Sequence, residues 1–522
     1  MSPSYNYEAD WRQYAFPEQV CHFSTEEDIA ERYTSIDLTE TAEASGMPII
    51  SDGTRAVVNA ENEHTIIFGG TASKKTRTLL IPTILNLAQA GESMIVIDIK
   101  GELSNGLAFP EIRGTLESNG YDCRFINFRT MDGDGFNILQ EPARVYRQGN
   151  KDEGSTMAHE TISSLGAIYA SSSADPFWQK TAEPWLNSIA RFLFEMCPDD
   201  REINLSTLAN YMDDDSCDYM RRIAGLIESH HNTLTMLRNV LAEPERTRMS
   251  TLATANSMVT DFVISNKLLK MLSTSTFDIH DIHRRPMAVF IIIPDEVDTY
   301  AGIVGIIVKQ IAATLVQDAY AMGGTLERRV NFICDETCNY FIPGMSRAIS
   351  AHRSRNIRWY LVCQSLKQLS ACYPKDADTI LANCTNVYFL NSPEMELLEH
   401  LSKRSGTTTI TEDGHPRPLI SVSDLMGLKK GWTHTDVYFT SGNLHYVSKM
   451  PDVSLYHASK KHRKPIPMPV RSYPMPPVYD AERMYKDVYD MRSAHDAQKR
   501  GAYVTAAQKV LAKKYKKLFV ED

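Results

Sequence analysis

The stretch Ile66-Ile67-Phe68-Gly69-Gly70-Thr71-Ala72-Ser73-Lys74-Lys75-Thr76 decides how this chain is read. Three apolar residues running into two glycines predict a buried strand that ends in a tight turn. The periodicity from Arg77 onward predicts a helix opening directly after it. The phosphate-loop pattern G-x-x-x-x-G-K-[ST] asks for Gly69, four residues, a second Gly, Lys75 and Thr76. Lys74 stands where that second Gly belongs, and Ala72 replaces the other inner glycine. The chemically active groups remain. Backbone amides of Gly70, Thr71, Ala72, Ser73 and Lys74 would cradle phosphates at a helix N-terminus, where the dipole favours an anion. Lys75 would neutralise phosphate charge and the Thr76 hydroxyl would bind Mg²⁺. A non-glycine forced into a left-handed conformation costs roughly 1–2 kcal/mol, which weakens such a loop without forbidding it.

Composition bounds the rest. The chain has 522 residues, 43% hydrophobic and 23% charged, enough for two to four domains with real cores. No run approaches the 18 or so apolar residues of a membrane span, and the first 25 residues hold no apolar block of a signal peptide. Nine scattered cysteines without a C-x-x-C predict reduced cytosolic thiols rather than a disulfide framework or a zinc site. Net charge is -10, unevenly spread: residues 453–522 carry 15 Lys/Arg against 7 Asp/Glu. An acidic body with a basic tail predicts either that the tail meets something anionic or that it is a solvated helix.

Strand–helix alternation over 54–150 and again over 284–452 predicts an α/β fold with a doubly wound, mostly parallel sheet and ligands at the carboxyl ends of its strands. Residues 1–53 read as a lead-in, with one strand at 56–59 beside the main sheet. A helix is expected to open at Gly101. Between 151 and 283 β-branched runs vanish and helical spacing dominates, including one long helix at 251–272. This predicts an inserted all-helical domain. Six prolines in 464–478 predict an extended linker or clamp, followed by a basic helical tail to 522. The turn Asp132-Gly133-Asp134-Gly135 lacks the later ligands of a calcium loop, and His230-His231 has no metal-spaced partner, so both read as bland.

A second site candidate is Phe332-Ile333-Cys334-Asp335-Glu336, a buried strand ending in two acids. Asp335 would hold Mg²⁺ and Glu336 would orient and deprotonate the attacking water. Gln364, at the end of the next strand, would sense the γ-phosphate. Arg353 or Arg355 would reach a nucleotide held by a neighbouring subunit. Asp98-Ile99-Lys100-Gly101-Glu102 follows another buried strand and lies on the ligand edge.

In order along the chain these pieces resemble the type IV secretion coupling proteins, the TraG/TraD-type conjugative DNA-transfer ATPases. The likeness rests on 67–76, on Asp98-Ile99-Lys100-Gly101-Glu102-Leu103, on Gly135-Phe136-Asn137-Ile138-Leu139, and on Asp175-Pro176-Phe177-Trp178. It continues through Asp335-Glu336, Ile342-Pro343-Gly344, Gln364-Ser365-Leu366-Lys367-Gln368-Leu369, and Pro418-Leu419-Ile420 with Asp424-Leu425-Met426. It implies a RecA-like P-loop domain carrying an all-helical insertion. It implies a ring, a hexamer, at the cytoplasmic mouth of a secretion channel, and ATP with Mg²⁺ as cofactors. The implied catalytic residues are Glu336, Asp335 and Gln364, with Arg353 acting in trans. The implied partners are a single-stranded DNA–relaxase complex or a secreted protein, and channel components. Members of this family usually carry N-terminal transmembrane helices, so a peripheral location and a small membrane-anchoring partner are expected here. The altered loop leaves two functions open: a motor ATPase, or a non-hydrolysing receptor that presents substrates. A chromosome or plasmid DNA pump is a third, disfavoured by the turn at 98–103 and the D-P-F-W start.

Overall fold

The computed structural model describes residues 21–172, 176–227, 232–263, 265–410 and 416–499. Asp175, His230, His231 and the lysines at 513–517 fall outside these residues. The chain forms two compact units, one of residues up to Ala90 with Tyr360–Lys461, the other of Gly91–Trp359 with the remainder.

In the first unit the strand Thr65–Phe68 is wholly buried and lies between parallel neighbours, Asn386–Phe389 on one side and residues 360–363 on the other. Burial on both faces is why it reads as a continuous apolar run rather than an alternating one. The hairpin His434–Ser441 and Leu444–Pro451 extends this sheet antiparallel beyond Asn386–Phe389. Residues before 60 depart from expectation. Thr34–Asp37, Arg55–Val58 and Pro48–Ser51 make a separate antiparallel sheet with Arg55–Val58 in the middle. Its pairing crosses residue 53, and it buries Ile36, Leu38, Ala56 and Val58 against Tyr456. Four-residue strands with one polar face carry too little periodicity to be seen in sequence.

The second unit holds four parallel strands in the order Val330–Cys334, Ser93–Ile99, Met287–Ile293, Asp122–Asn127. The helix expected at Gly101 is absent. Lys100 and Gly101 adopt φ of 86° and 76°, the chain turns, and the next helix is Pro110–Ser118. Helix Ala301–Ala321 has the length and apolarity to cross a membrane, yet 61% of its apolar window is buried in the protein. Ile303, Val304, Ile307, Ile311 and Leu315 are fully buried, so it is a core helix.

The inserted region is helical and begins earlier than expected, with Gln140–Arg147 and Lys151–Ser172. The single helix foreseen at 251–272 is two, Glu245–Val263 and Asn266–Leu272, and Ser265 stands at the second N-cap. The proline-rich segment is a strap, not a free linker. Ile466 bridges to Gly106, the Arg471 N–H donates to the Asp132 carbonyl at 2.6 Å, and the Tyr473 hydroxyl donates to the Gly133 carbonyl at 2.9 Å. The turn at 132–135 is therefore its dock. Asp134, fully buried, accepts from the Phe125 N–H at 2.9 Å and from the Thr276 hydroxyl at 2.7 Å, and pairs with Arg471 at 3.0 Å.

The strap delivers helix Ala481–Lys499 onto helix Asp214–Leu226. Tyr479, Met484 and Val488 are fully buried there, and the Tyr211 hydroxyl donates to the Tyr479 carbonyl at 2.8 Å. Arg483 pairs with buried Glu202 at 2.5 Å, and Tyr485 packs against Tyr219 at 5.9 Å between centroids. Helix Ala481–Lys499 is therefore packed into the helical region rather than solvated on all sides.

Candidate nucleotide site

In the first unit the chain leaves the strand Thr65–Phe68 into the loop 69–75 and enters a helix whose first turn, Thr76–Leu80, is π-wound. Such local widening of a helix recurs at functional positions. Ala72 and Lys74, the two residues standing in for glycines, have φ of 59° and 71°. The loop keeps the left-handed geometry that glycine supplies freely, at a cost of roughly 1–2 kcal/mol for each non-glycine. At Gly69 the space is tight: a Cβ there would lie 2.6 Å from Ser73 Oγ and 3.2 Å from Lys75 Cγ and Cδ.

The Lys75 ammonium is buried and donates to the Gly69 carbonyl at 2.6 Å and the Gly70 carbonyl at 3.1 Å. It is thus held inside the loop, at the position from which it would meet a phosphate oxygen. Ser73 Oγ is buried with no hydrogen-bond partner. An orphaned hydroxyl beside a confined ammonium, in a cradle too tight for a Cβ, fits a phosphate group. Not every amide foreseen as a phosphate donor is available, however. The Gly70 N–H donates to the Asn391 carbonyl at 2.8 Å and the Ser73 N–H to the Gly70 carbonyl at 3.1 Å.

The Lys74 side chain is held by residues far along the chain. Its ammonium donates to the carbonyls of Gly431 at 2.8 Å and Trp432 at 3.0 Å, and lies 3.8 Å from Asp452. Asp452 also takes a two-pronged pair from Arg77 at 2.5 and 2.8 Å, which holds its carboxyl down at about 2 against the raising effect of burial. Sequence reading missed Asp452 and Trp432. Both lie over 350 residues away along the chain, and a lone acid and a lone Trp carry no motif.

A cavity of about 640 Å³ lies against the loop, lined by Gly70, Thr71, Ser73, Gln364, Gln368 and Lys430 among others. Gln364 is thereby brought to the loop; its amide oxygen is 3.4 Å from the Thr71 hydroxyl. Ser365, within the same motif, caps helix Leu366–Cys372 by accepting from the Gln368 N–H at 3.1 Å.

The second unit holds the acids. Asp335 follows the buried strand Val330–Cys334 and is itself 8% exposed. Glu336 takes the left-handed conformation, φ 44°, and its carboxylate accepts from Asn339 Nδ2 at 3.0 Å. Strain at a residue read as a general base, held by a neighbour, is the pattern of a preorganised group. Of the two arginines considered, Arg355 donates to the Ala351 carbonyl and is committed to the helix end, while Arg353 is exposed to solvent.

Asp98 is the last residue but one of the strand Ser93–Ile99, whose Ile97 is opposite Cys334, so Asp98 and Asp335 stand at the carboxyl ends of neighbouring parallel strands. Its Oδ2 accepts from the Ser104 N–H and hydroxyl, both at 2.7 Å, while Oδ1 is buried without a partner. Burial raises its carboxyl from 3.8 to about 6. The folded value lies above the unfolded one, so ionised Asp98 opposes folding above pH 6, and the penalty is relieved as pH falls toward 3.8. Asp98→Asn is expected to raise thermal stability near pH 8, by roughly 2–3 kcal/mol from the size of the shift, with the gain gone near pH 4. A melting-temperature difference between the two proteins that stays constant over that range would refute the assignment.

The profile of the family described as Type IV secretory system Conjugative DNA transfer matches residues 30–427. The chain belongs to that family. Conjugal transfer protein TraG of Escherichia coli is 25% identical over 377 residues, covering 67% of this chain and 56% of that protein. The chain therefore spans little more than half the length of this curated relative. Among solved structures, plasmid coupling protein TrwB in complex with the non-hydrolysable ATP analogue ADPNP matches with a TM-score of 0.57 at 13% identity, over 88% of this chain and 96% of that one. TrwB in complex with ADP and Mg²⁺ gives 0.55 at 13%, over 87% and 95%. At such identity the likeness shows the fold: this conjugative-transfer family member has the α/β, RecA-like coupling-protein fold.

Proposed function

We propose that this family member is the nucleotide-driven coupling protein of a conjugative type IV secretion system, and that it hydrolyses ATP. Gly69, Gly70, Thr71, Ala72, Ser73 and Lys74 form the cradle, Lys75 binds the β- and γ-phosphates, and Gln364 contacts the γ-phosphate. Thr76 and Asp335 would hold Mg²⁺, which when bound neutralises phosphate charge. Glu336 orients the attacking water and accepts its proton, and Arg353 serves the nucleotide of a neighbouring subunit in a hexameric ring. The observation that carries this is the loop itself: Ala72 and Lys74 hold left-handed φ of 59° and 71°, so the altered sequence keeps the phosphate-binding shape. That supports nucleotide binding; the receptor reading keeps the coupling-protein shape as well, and turnover is what separates the two.

The substrate is a relaxase-bound single DNA strand or a secreted protein. The protein works at the cytoplasmic face of the membrane, docked on channel components or a small membrane partner. Glu336→Gln is the test. ATP binding should persist while turnover by the purified chain with Mg²⁺ and single-stranded DNA falls by roughly 10²–10⁴, the range for a lost general base. DNA transfer in cells should stop. Transfer that continues at unchanged protein level would establish the receptor reading instead.

A further inference from the structure

We propose that Trp432 is the stacking platform for the base of the nucleotide held by the loop 69–76, with Lys430 beside its sugar and phosphates. This rests on the reading of that loop as a triphosphate cradle. Trp432 is 93% exposed. It sits in no floppy turn, however. The Lys74 ammonium bonds the carbonyls of Gly431 and Trp432, the Gly431 N–H donates to the His434 carbonyl at 2.9 Å, and the Asp452 N–H donates to the Thr433 carbonyl at 2.7 Å. The Lys429 N–H donates to Asp436 at 2.9 Å, and Asn391 Nδ2 to the Leu428 carbonyl at 3.3 Å. The segment is pinned from several sides while its indole faces water.

Its location gives the indole a purpose. Lys74 Nζ lies 5.8 Å from the ring centroid, and Lys430, two residues before the Trp, lines the cavity that Gly70, Thr71, Ala72 and Ser73 also line. An exposed aromatic face and an ammonium thus stand at the rim of the phosphate cradle, in one unit and joined to it by one side chain. That side chain is Lys74, the residue that breaks the glycine pattern. Its left-handed strain is offset by two charge-assisted hydrogen bonds to the platform's backbone. The substitution therefore reads as a tether between the cradle and the base platform rather than as decay. Stacking accepts any base, since each has a π-face.

The test is calorimetric titration of the full chain with ATP, GTP and inorganic tripolyphosphate, for the native protein, Trp432→Ala and Trp432→Phe. Trp432→Ala should weaken ATP and GTP alike, roughly 5- to 100-fold, the size of a lost base–aromatic stack, and leave tripolyphosphate unchanged. Trp432→Phe should recover most of the loss. Because the residue is exposed, the variants keep the fold. If tripolyphosphate binds while Trp432→Ala keeps native ATP affinity, the platform is wrong and the cradle stands. A native chain that binds neither ligand overturns the cradle, and the platform with it. If Trp432→Ala keeps ATP but loses a single-stranded oligonucleotide, the indole serves DNA and this assignment fails.

Discussion

Lys75→Ala is expected to reduce Mg-ATP turnover by roughly 10²–10³ or more, the size of effect seen when one preorganised donor is removed from a site of developing charge. The argument starts from confinement. The ammonium is 7% exposed and bonded to the carbonyls of Gly69 and Gly70, so its position is set before any ligand arrives. A preset donor has no reorganisation to undergo at the moment of reaction, which is what makes it catalytic as well as binding. The substitution also takes this donor from the buried Gly69 carbonyl, at a cost of about 1–3 kcal/mol, while the Gly70 carbonyl keeps the Ser73 N–H. Affinity and turnover should therefore fall together. Lys75→Arg should not rescue, because a planar fork cannot occupy a pocket shaped for a point charge. Steady-state turnover and ATP calorimetry on the two variants decide the matter; native turnover in Lys75→Ala would remove the loop from the mechanism.

The double substitution Met484→Ala and Val488→Ala is expected to destabilise the helical region by roughly 4–8 kcal/mol, more than many domains have to spare. Both side chains are fully buried and stand one helical turn apart, on the face that helix Ala481–Lys499 turns to Asp214–Leu226. Each truncation removes apolar area and leaves a cavity that a packed bundle cannot refill. Hydrogen exchange in 214–226 should accelerate along with that in 481–499, since the two helices share one core. If exchange rises only in the tail helix, the segment is an appendage after all.

That contrast marks where sequence reasoning stops. The strand, loop and helix at 66–89 were legible because their signals are local: a buried apolar run, glycine punctuation and a following helical period. The strand-end positions of the acids at 335 and 336, and of Gln364, were legible for the same reason. The hairpin at 434–451, the docking place of the strap at 464–478 and the packing of 481–499 were not, because each is fixed by contacts far off in the chain. The strap binds carbonyls at 106, 132 and 133, none of which bears a side-chain signal.

By itself the sequence indicated most of the element types, the candidate residues for phosphate and metal, and the family. Only tertiary structure decided what the odd residues do. Lys74 looked like damage to a glycine loop, but its ammonium turns away from the cradle to two carbonyls near residue 432. The physical reason is the reach of the forces involved. Propensity and hydrophobic period act within a few residues, whereas a hydrogen bond or a buried contact is set by distance in space, which a linear order does not encode.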